Sequence, residues 1–115
     1  MHNYRELKVW QKARVLVKLI YQITNNLPKE EVFGLISQMR RAVVSIPSNI
    51  AEGAGRGTNK DFCRFLDIAY GSSFELETQL LLCVDLEYIS ERVLLETESQ
   101  IKEIQRMLYS LKSKY

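Results

Sequence analysis

The chain has 115 residues, of which 46% are hydrophobic and 26% are charged. These proportions suit one globular domain with a modest core, and the length leaves no room for a second domain. No apolar run reaches the roughly 18 residues that a membrane span requires, and the start of the sequence lacks the apolar core of a signal peptide. We therefore predict a single cytoplasmic domain over residues 1–115, with no membrane partner.

The formal net charge is only +2, but it is unevenly distributed along the chain. Residues 1–60 hold ten Lys and Arg against four Glu, whereas residues 61–115 hold six Lys and Arg against ten Asp and Glu. A basic half and an acidic half usually pair within a molecule or between subunits. A nucleic-acid surface is the alternative, although the pI of 8.6 lies below the value of about 9 that favours it.

Apolar residues recur at steps of four and three along the first half, which predicts two helices with heptad stripes. The first stripe is Val9, Ala13, Leu16, Ile20, Ile23 and Leu27, and the second is Val32, Ile36, Met39, Val43, Ile46 and Ile50. Pro28 separates the two helices, because the residue before a proline avoids helical geometry. Pro47 predicts a kink in the second helix, and the alternative is a helix that ends at Ile46 and restarts at Pro47.

The second half predicts two further helices. Gly53 to Gly57 form a turn, Thr58 caps the third helix, and Ser90 caps the fourth. The two stripes are Phe62, Leu66, Ala69, Ser73, Leu76, Leu80 and Cys83, then Leu94, Thr97, Ile101, Ile104, Leu108 and Leu111. Small residues around Gly71 indicate that another backbone approaches the third helix there. The fold prediction is an all-α, antiparallel, up-down-up-down four-helix bundle.

Large apolar side chains also lie outside the four stripes, which predicts that the bundle self-associates as a homo-oligomer. These residues are Trp10, Val17, Tyr21, Phe33, Val44, Phe74, Leu81, Leu82 and Leu95.

One segment resembles a known family. The run from Ser45 to Gly53, with Arg41-Ala42 before it and Arg56 after it, is similar to the 23S ribosomal RNA intervening-sequence proteins. The third helix continues the resemblance through Phe62, Phe65-Leu66, Ile68-Ala69, Gly71-Ser72, Glu75 and Gln79-Leu80. The resemblance covers nearly the whole chain, and its Asn-Ile-Ala-Glu-Gly core is specific.

This resemblance implies a four-helix bundle that assembles as a cyclic homopentamer and has no enzymatic activity. Such proteins are encoded in some bacteria within insertions in large-subunit ribosomal RNA genes. A related protein, the accessory variability protein of diversity-generating retroelements, is a basic pentameric barrel that binds nucleic acid and a reverse transcriptase. The present chain departs from that relative because it is only weakly basic.

Polar residues cluster around the specific segment and along the third helix. They are Arg40, Arg41, Asn49, Glu52, Arg56, Ser72 and Glu75. We expect a structural network that fixes helix or subunit register, because the set pairs opposite charges with amides and hydroxyls. A ligand site is the alternative.

A basic strip is the candidate nucleic-acid contact. It comprises Arg5, Lys8, Lys12, Arg14 and Lys18 on the first helix, with Arg56 and Lys60 in the glycine-rich turn. Residues at steps of three and four share a helix face, so Arg5, Lys8 and Lys12 suit a phosphate backbone. The alternatives are an ordinary solvated face and a plain helix-to-helix turn.

The sequence does not favour catalysis or metal binding by histidine, because His2 is the only histidine. The glutamates at 75 and 77, and those at 96 and 98, are two residues apart and do not share a helix face. Cys63 and Cys83 lie about 30 Å apart on one helix and cannot form a disulfide with each other.

We expect no enzyme, metal or cofactor. The two candidate functions are an RNA-associated accessory protein and an adaptor ring that docks another protein.

Overall fold

A computed structural model describes residues 2–115, in which all regular structure is helical. Four α-helices form a compact bundle that measures 43 × 24 × 19 Å. They are α1 (Lys8–Thr24), α2 (Leu35–Ala54), α3 (Asn59–Asp85) and α4 (Glu91–Lys112). Short 3-10 helices, Tyr4–Glu6 and Lys29–Glu31, precede α1 and α2. The prediction of four helices and an all-α fold is confirmed.

The predicted stripes form the core. Every stripe residue of α1 and α3 is buried, as are those of α2 from Ile36 onwards and those of α4 up to Leu108. Leu111 is half-buried. The assignment of Val32 to the core is wrong, since this residue is 49% exposed. It follows the 3-10 helix Lys29–Glu31 and precedes the first residue of α2, so the heptad spacing does not extend back to it.

The four helices pack around a closed circuit. α1 contacts α2 and α4, and α3 contacts the same two helices. The contact between α2 and α3 is the most extensive of the four, whereas that between α1 and α4 is the least extensive. The circuit therefore has one tightly packed side and one loosely packed side.

Pro47 lies inside one continuous helix, so the alternative of a break at Ile46 is wrong. Gly53, assigned to the turn by its sequence, is buried in the last turn of α2. A Cβ atom at Gly53 would lie 2.6 Å from Cβ of Phe65, which is closer than two non-bonded carbon atoms can approach. Gly53 is thus a position where α2 and α3 come close together and where a side chain has no room.

Gly71, unlike Gly53, is not a position where two helices of the chain come close together. An added Cβ atom there would meet nothing within 4 Å, and the residue is exposed. Within residues 2–115 no other helix approaches Gly71 itself, which lies on the outer face of α3. Its neighbour Ser72, in the same patch of small residues, contacts Ser45 of α2.

The helix starts agree with the predicted caps. Thr58 Oγ1 accepts a hydrogen bond from the backbone N–H of Asp61, and Ser90 Oγ accepts one from Val93. Each cap satisfies a backbone donor that the first turn of a helix leaves free. After α3, Glu87 adopts a left-handed conformation with φ of 64°, a position that glycine usually takes at a helix end.

None of the helices within residues 2–115 combines the length and the apolar character needed to cross a membrane.

Candidate nucleic-acid interface

An open groove runs between the start of α1 and the end of α4, on the loosely packed side of the bundle. Its volume is about 530 Å³. Lys8, Arg106 and Lys114 line it with three cationic side chains, and Glu6 and Glu103 contribute two carboxylates. Lys12 Nζ lies 3.1 Å from Glu103 Oε1, so one of those carboxylates is already neutralised. We name this surface the α1–α4 groove. With Lys12 counted, four cationic side chains outnumber two carboxylates there, so the net charge of the groove is positive.

The structure separates the basic residues predicted on the first helix. Arg5 lies in the 3-10 helix Tyr4–Glu6 and not on α1, because α1 begins at Lys8. Lys12 is held in the ion pair with Glu103, and the Arg14 guanidinium lies over the Trp10 ring, 5.1 Å from its centroid. Lys8 and Lys18 are exposed and make no ion pair within the described part of the chain. Lys8 and Lys12, one turn apart, share one face of α1, whereas Arg14 and Lys18 share another. These five residues therefore form no single strip along one helix face.

The glycine-rich turn holds one paired and one unpaired cation. Arg56 Nη2 lies 3.0 Å from Glu52 Oε2, one helical turn earlier, and its guanidinium also lies over the Phe65 ring. Lys60 is exposed at the start of α3 and is in no ion pair among residues 2–115. This geometry gives Arg56 a local structural partner and leaves Lys60 accessible.

The predicted polar set divides into separate groups. Between α2 and α3, Ser45 Oγ and Ser72 Oγ are 2.8 Å apart, and Asn49 Nδ2 donates to Ser45 Oγ and to its carbonyl oxygen. Glu52 pairs with Arg56. Glu75 is exposed and has no ion-pair partner in the described residues.

The two adjacent arginines of this set have different surroundings. Arg40 donates from Nε to Thr24 Oγ1 and from Nη2 to Asn25 Oδ1, both at 2.9 Å, and its guanidinium lies over the Tyr21 ring. These contacts tie the start of α2 to the end of α1. Arg41 is exposed and makes no ion pair in the range that the structure describes. Within one copy of the chain, residues 2–115, the set forms a series of local ties.

Residues from the acidic half supply part of the α1–α4 groove, and sequence reasoning missed them. Arg106 and Lys114 come from the region of α4, where the surrounding sequence is acidic. Arg106 lies on α4 and Lys114 lies in the turn that follows it, because α4 ends at Lys112, so spacing along one helix gave no signal that joins them. Their position opposite Lys8 depends on the register between α1 and α4, which the sequence does not show.

Two glutamates from different helices, Glu77 on α3 and Glu98 on α4, affect each other electrostatically. The Glu77 carboxylate raises the pKa of the Glu98 carboxyl, and desolvation adds to this shift. Gln105 Nε2 donates to Glu77 Oε1 at 3.2 Å. Within residues 2–115, no group of three or more His, Cys, Asp or Glu is close enough to hold a metal ion.

The two cysteines are free, and both lie in α3 as predicted. Cys83 is buried, and burial raises the pKa of its thiol to about 11, so that the thiol stays protonated at neutral pH. Cys63 is half-buried, with its Sγ 3.9 Å from the carbonyl oxygen of Lys112.

A family model described as 23S rRNA-intervening sequence protein matches residues 5–110. Among solved structures, a protein of unknown function from the S23 ribosomal protein family of Bacteroides thetaiotaomicron is 27% identical to this chain. The similarity covers 90% of this chain and 97% of that one, with a TM-score of 0.81. No curated protein sequence matches the chain. The helical bundle is therefore shared with a protein whose own function is unknown.

Proposed function

Because the chain belongs to the 23S rRNA-intervening sequence protein family, we propose that it is a non-enzymatic, self-associating four-helix bundle that binds structured RNA in the cytoplasm. The observation that carries this proposal is the α1–α4 groove, which Lys8, Arg106 and Lys114 line together. Lysine and arginine side chains along a channel suit the regular charges of a phosphate backbone.

The up-down-up-down order is part of the proposal, and contacts between helix ends support it. Arg40 near the start of α2 bonds to Thr24 at the end of α1. Asp67 near the start of α3 pairs with Lys112 at the end of α4, with an Nζ–Oδ1 distance of 2.7 Å. Such contacts join the end of one helix to the start of the other, as antiparallel neighbours require.

Self-association is supported by apolar side chains that the bundle leaves exposed. Phe33 is 93% exposed and Leu95 is 63% exposed, and Val44, Phe74, Leu81 and Leu82 are each exposed by about two fifths. Burying such side chains in a contact between copies stabilises the contact by about 25 cal/mol for each Å² of apolar surface removed from water. We propose the cyclic pentamer that the family resemblance implies.

The proposal of a non-enzymatic role is supported by the packing of His2, the only histidine in the sequence. The His2 ring stacks on Phe62, with centroids 4.5 Å apart, and meets the edge of Tyr115 at 4.8 Å. Its backbone N–H donates to the carbonyl oxygen of Ala54. These contacts give His2 a packing role that joins the start of the chain to the end of α2.

The test is RNA binding by the purified oligomer, measured by fluorescence anisotropy across a salt titration, with the mass of the oligomer measured on the same sample. We expect binding that weakens steeply with salt. The double substitution Lys8→Gln/Arg106→Gln removes two groove cations. It should weaken binding about tenfold and lower the slope of log affinity against log salt by about two.

A charge-matched control is Lys29→Gln/Arg92→Gln, which removes one lysine and one arginine near the opposite ends of α1 and α4. This control should bind RNA nearly as well as the original protein. Absence of RNA binding by an intact oligomer at low salt would refute the proposal. The second candidate, an adaptor that docks another protein, would then be favoured by the exposed apolar side chains, with Phe33 the most exposed of them.

A further inference from the structure

A second surface pocket lies at the start of α1, and it combines aromatic rings with guanidinium groups. Its lining residues are Tyr4, Arg5, Trp10, Gln11 and Arg14, and its volume is about 690 Å³. We name it the aromatic–arginine pocket. None of the five lining residues is acidic, in contrast to the α1–α4 groove, where Glu6 and Glu103 contribute carboxylates.

The two rings of the pocket are held by each other and by the core. Tyr4 and Trp10 meet edge to face, with centroids 5.0 Å apart and ring planes at 71°. Both side chains are half-buried and pack against core residues. The guanidinium groups of Arg5 and Arg14 lie over these rings, so a flat group would stack on a ring as the guanidinium group turns from it towards the phosphates of the ligand.

The backbone that carries Tyr4 and Arg5 is also fixed. Gln11 Nε2 donates to the carbonyl oxygen of Arg5 at 2.8 Å, and the backbone N–H of Leu7 donates to the carbonyl oxygen of Tyr4. Asn3 Oδ1 accepts a hydrogen bond from the backbone N–H of Arg5. The 3-10 turn is thus tied to the first turn of α1, and the backbone that carries the two rings is preformed.

The chemistry of the pocket narrows what it can bind. The Arg14 guanidinium lies 5.1 Å from the Trp10 centroid, and the Arg5 guanidinium lies 5.9 Å from that of Tyr4. Two exposed cations repel a cationic ligand and favour one that carries negative charge. Flat rings and guanidinium planes favour a ligand with a π-face, since both stack on nucleobases.

We propose that the aromatic–arginine pocket holds an unpaired nucleobase of an RNA strand, with Arg5 and Arg14 on the phosphates that flank it. This inference rests on the proposed RNA binding and adds a preference for single-stranded over fully paired RNA. A base inside a duplex is stacked on its neighbours, so it presents no free face to Tyr4 or Trp10.

Trp10 makes the inference directly testable, because it is the only tryptophan in the chain. Its emission therefore reports on this pocket and on no other place. The experiment titrates the oligomer with an unpaired RNA oligonucleotide and with the same oligonucleotide annealed to its complement, following Trp10 emission and RNA anisotropy together. We expect unpaired RNA to quench Trp10 emission and to bind about tenfold more tightly than the duplex.

Arg14→Gln tests the cationic part of the pocket without disturbing the core, since Arg14 is exposed. It should remove most of the preference for unpaired RNA while duplex binding changes little. The matched control is Arg92→Gln, the same chemical change at the far end of α4. Trp10→Phe keeps a stacking ring and should retain the preference in the anisotropy measurement.

The outcomes separate this inference from the proposed function. If the oligomer binds unpaired and duplex RNA equally and Trp10 emission does not change, the pocket inference is wrong while RNA binding stands. If Arg14→Gln and Arg92→Gln behave alike, the pocket inference is also wrong. If no RNA binds at low salt, both the pocket inference and the proposed function fail.

Discussion

The α2–α3 side and the α1–α4 side of the bundle use their residues in opposite ways. On the α2–α3 side, Gly53 lets the helices approach until no Cβ atom fits, and Ser45 bonds to Ser72 across the contact. On the α1–α4 side, the helices leave an open groove, and the ion pair of Lys12 with Glu103 bridges them near the surface.

This difference indicates which side of the bundle maintains the fold, and the proposed RNA surface lies on the other side. Close packing tolerates little change, because protein interiors are packed as densely as organic crystals. Exposed lysines and arginines around a groove add little to stability. The specific sequence segment around Asn49 and Gly53 thus falls on the structural side, and the candidate RNA surface falls on the other.

Gly53→Ala tests the close approach of α2 to α3 and should have the largest effect. The added Cβ would lie 2.6 Å from Cβ of Phe65 and 3.3 Å from the carbonyl oxygen of Phe62, so the helices must move apart. We expect the free energy of unfolding to fall by about 2 to 3 kcal/mol. Urea denaturation followed by circular dichroism measures it.

Gly71→Ala is the matched control, because the same change on α3 meets nothing within 4 Å. An alanine in an open helix position should raise the free energy of unfolding by about 0.5 to 1 kcal/mol. If Gly53→Ala were as stable as the original protein, α2 and α3 would not be tightly packed there. A loss of oligomer mass in Gly71→Ala would instead place Gly71 at a contact between copies.

Ser72→Ala tests the polar contact on the same side. Ser45 Oγ would lose Ser72 but would still accept from Asn49 Nδ2, so no buried group is left without a partner. We therefore expect a loss of about 1 kcal/mol. A double-mutant cycle with Ser45→Ala should give a coupling energy of about 0.5 to 1 kcal/mol. Fully additive effects would mean that the two hydroxyls do not stabilise each other.

The sequence predicted the core well, because a heptad stripe depends only on spacing within one helix. Ala13, Leu66 and Ile101 were all placed in the core from spacing alone, and all are fully buried. The resemblance carried by Asn49 to Gly53 likewise identified the family. Val32 failed because the chain forms a 3-10 helix and a turn before α2 begins, and a spacing rule does not detect that interruption.

The close helix approach, the groove and the pocket depend on how one element packs against another, which spacing within a helix does not specify. The two glycines show this clearly: the sequence placed Gly53 in the turn and a close approach around Gly71, whereas the close approach lies at Gly53 and Gly71 faces outwards from α3. Predicting the groove also requires the packing of helices, because Arg106 and Lys114 lie beside Lys8 only through the register of α1 and α4. The aromatic–arginine pocket was missed because its 3-10 turn, Tyr4–Glu6, folds beside the first turn of α1.

Lys12→Gln tests the loosely packed side and should have the smallest effect on stability. The side chains of Lys12 and Glu103 are 45% and 46% exposed, so water and salt weaken their attraction. We expect a loss of about 0.5 kcal/mol at low salt, and less at an ionic strength of about 1 M, where charges are screened over about 3 Å. Urea denaturation at the two salt concentrations measures both values.

Lys8→Gln is the control, since Lys8 lines the same groove without an ion pair in the described chain, and its stability should not change. The reversed pair Lys12→Glu/Glu103→Lys should recover the stability that Lys12→Gln loses, because the attraction is restored with the charges exchanged. A loss of more than about 2 kcal/mol in Lys12→Gln would exceed what an exposed ion pair contributes. The α1–α4 side would then contribute to folding as much as the α2–α3 side does, and RNA that drew Lys12 away from Glu103 would bind at a cost in stability.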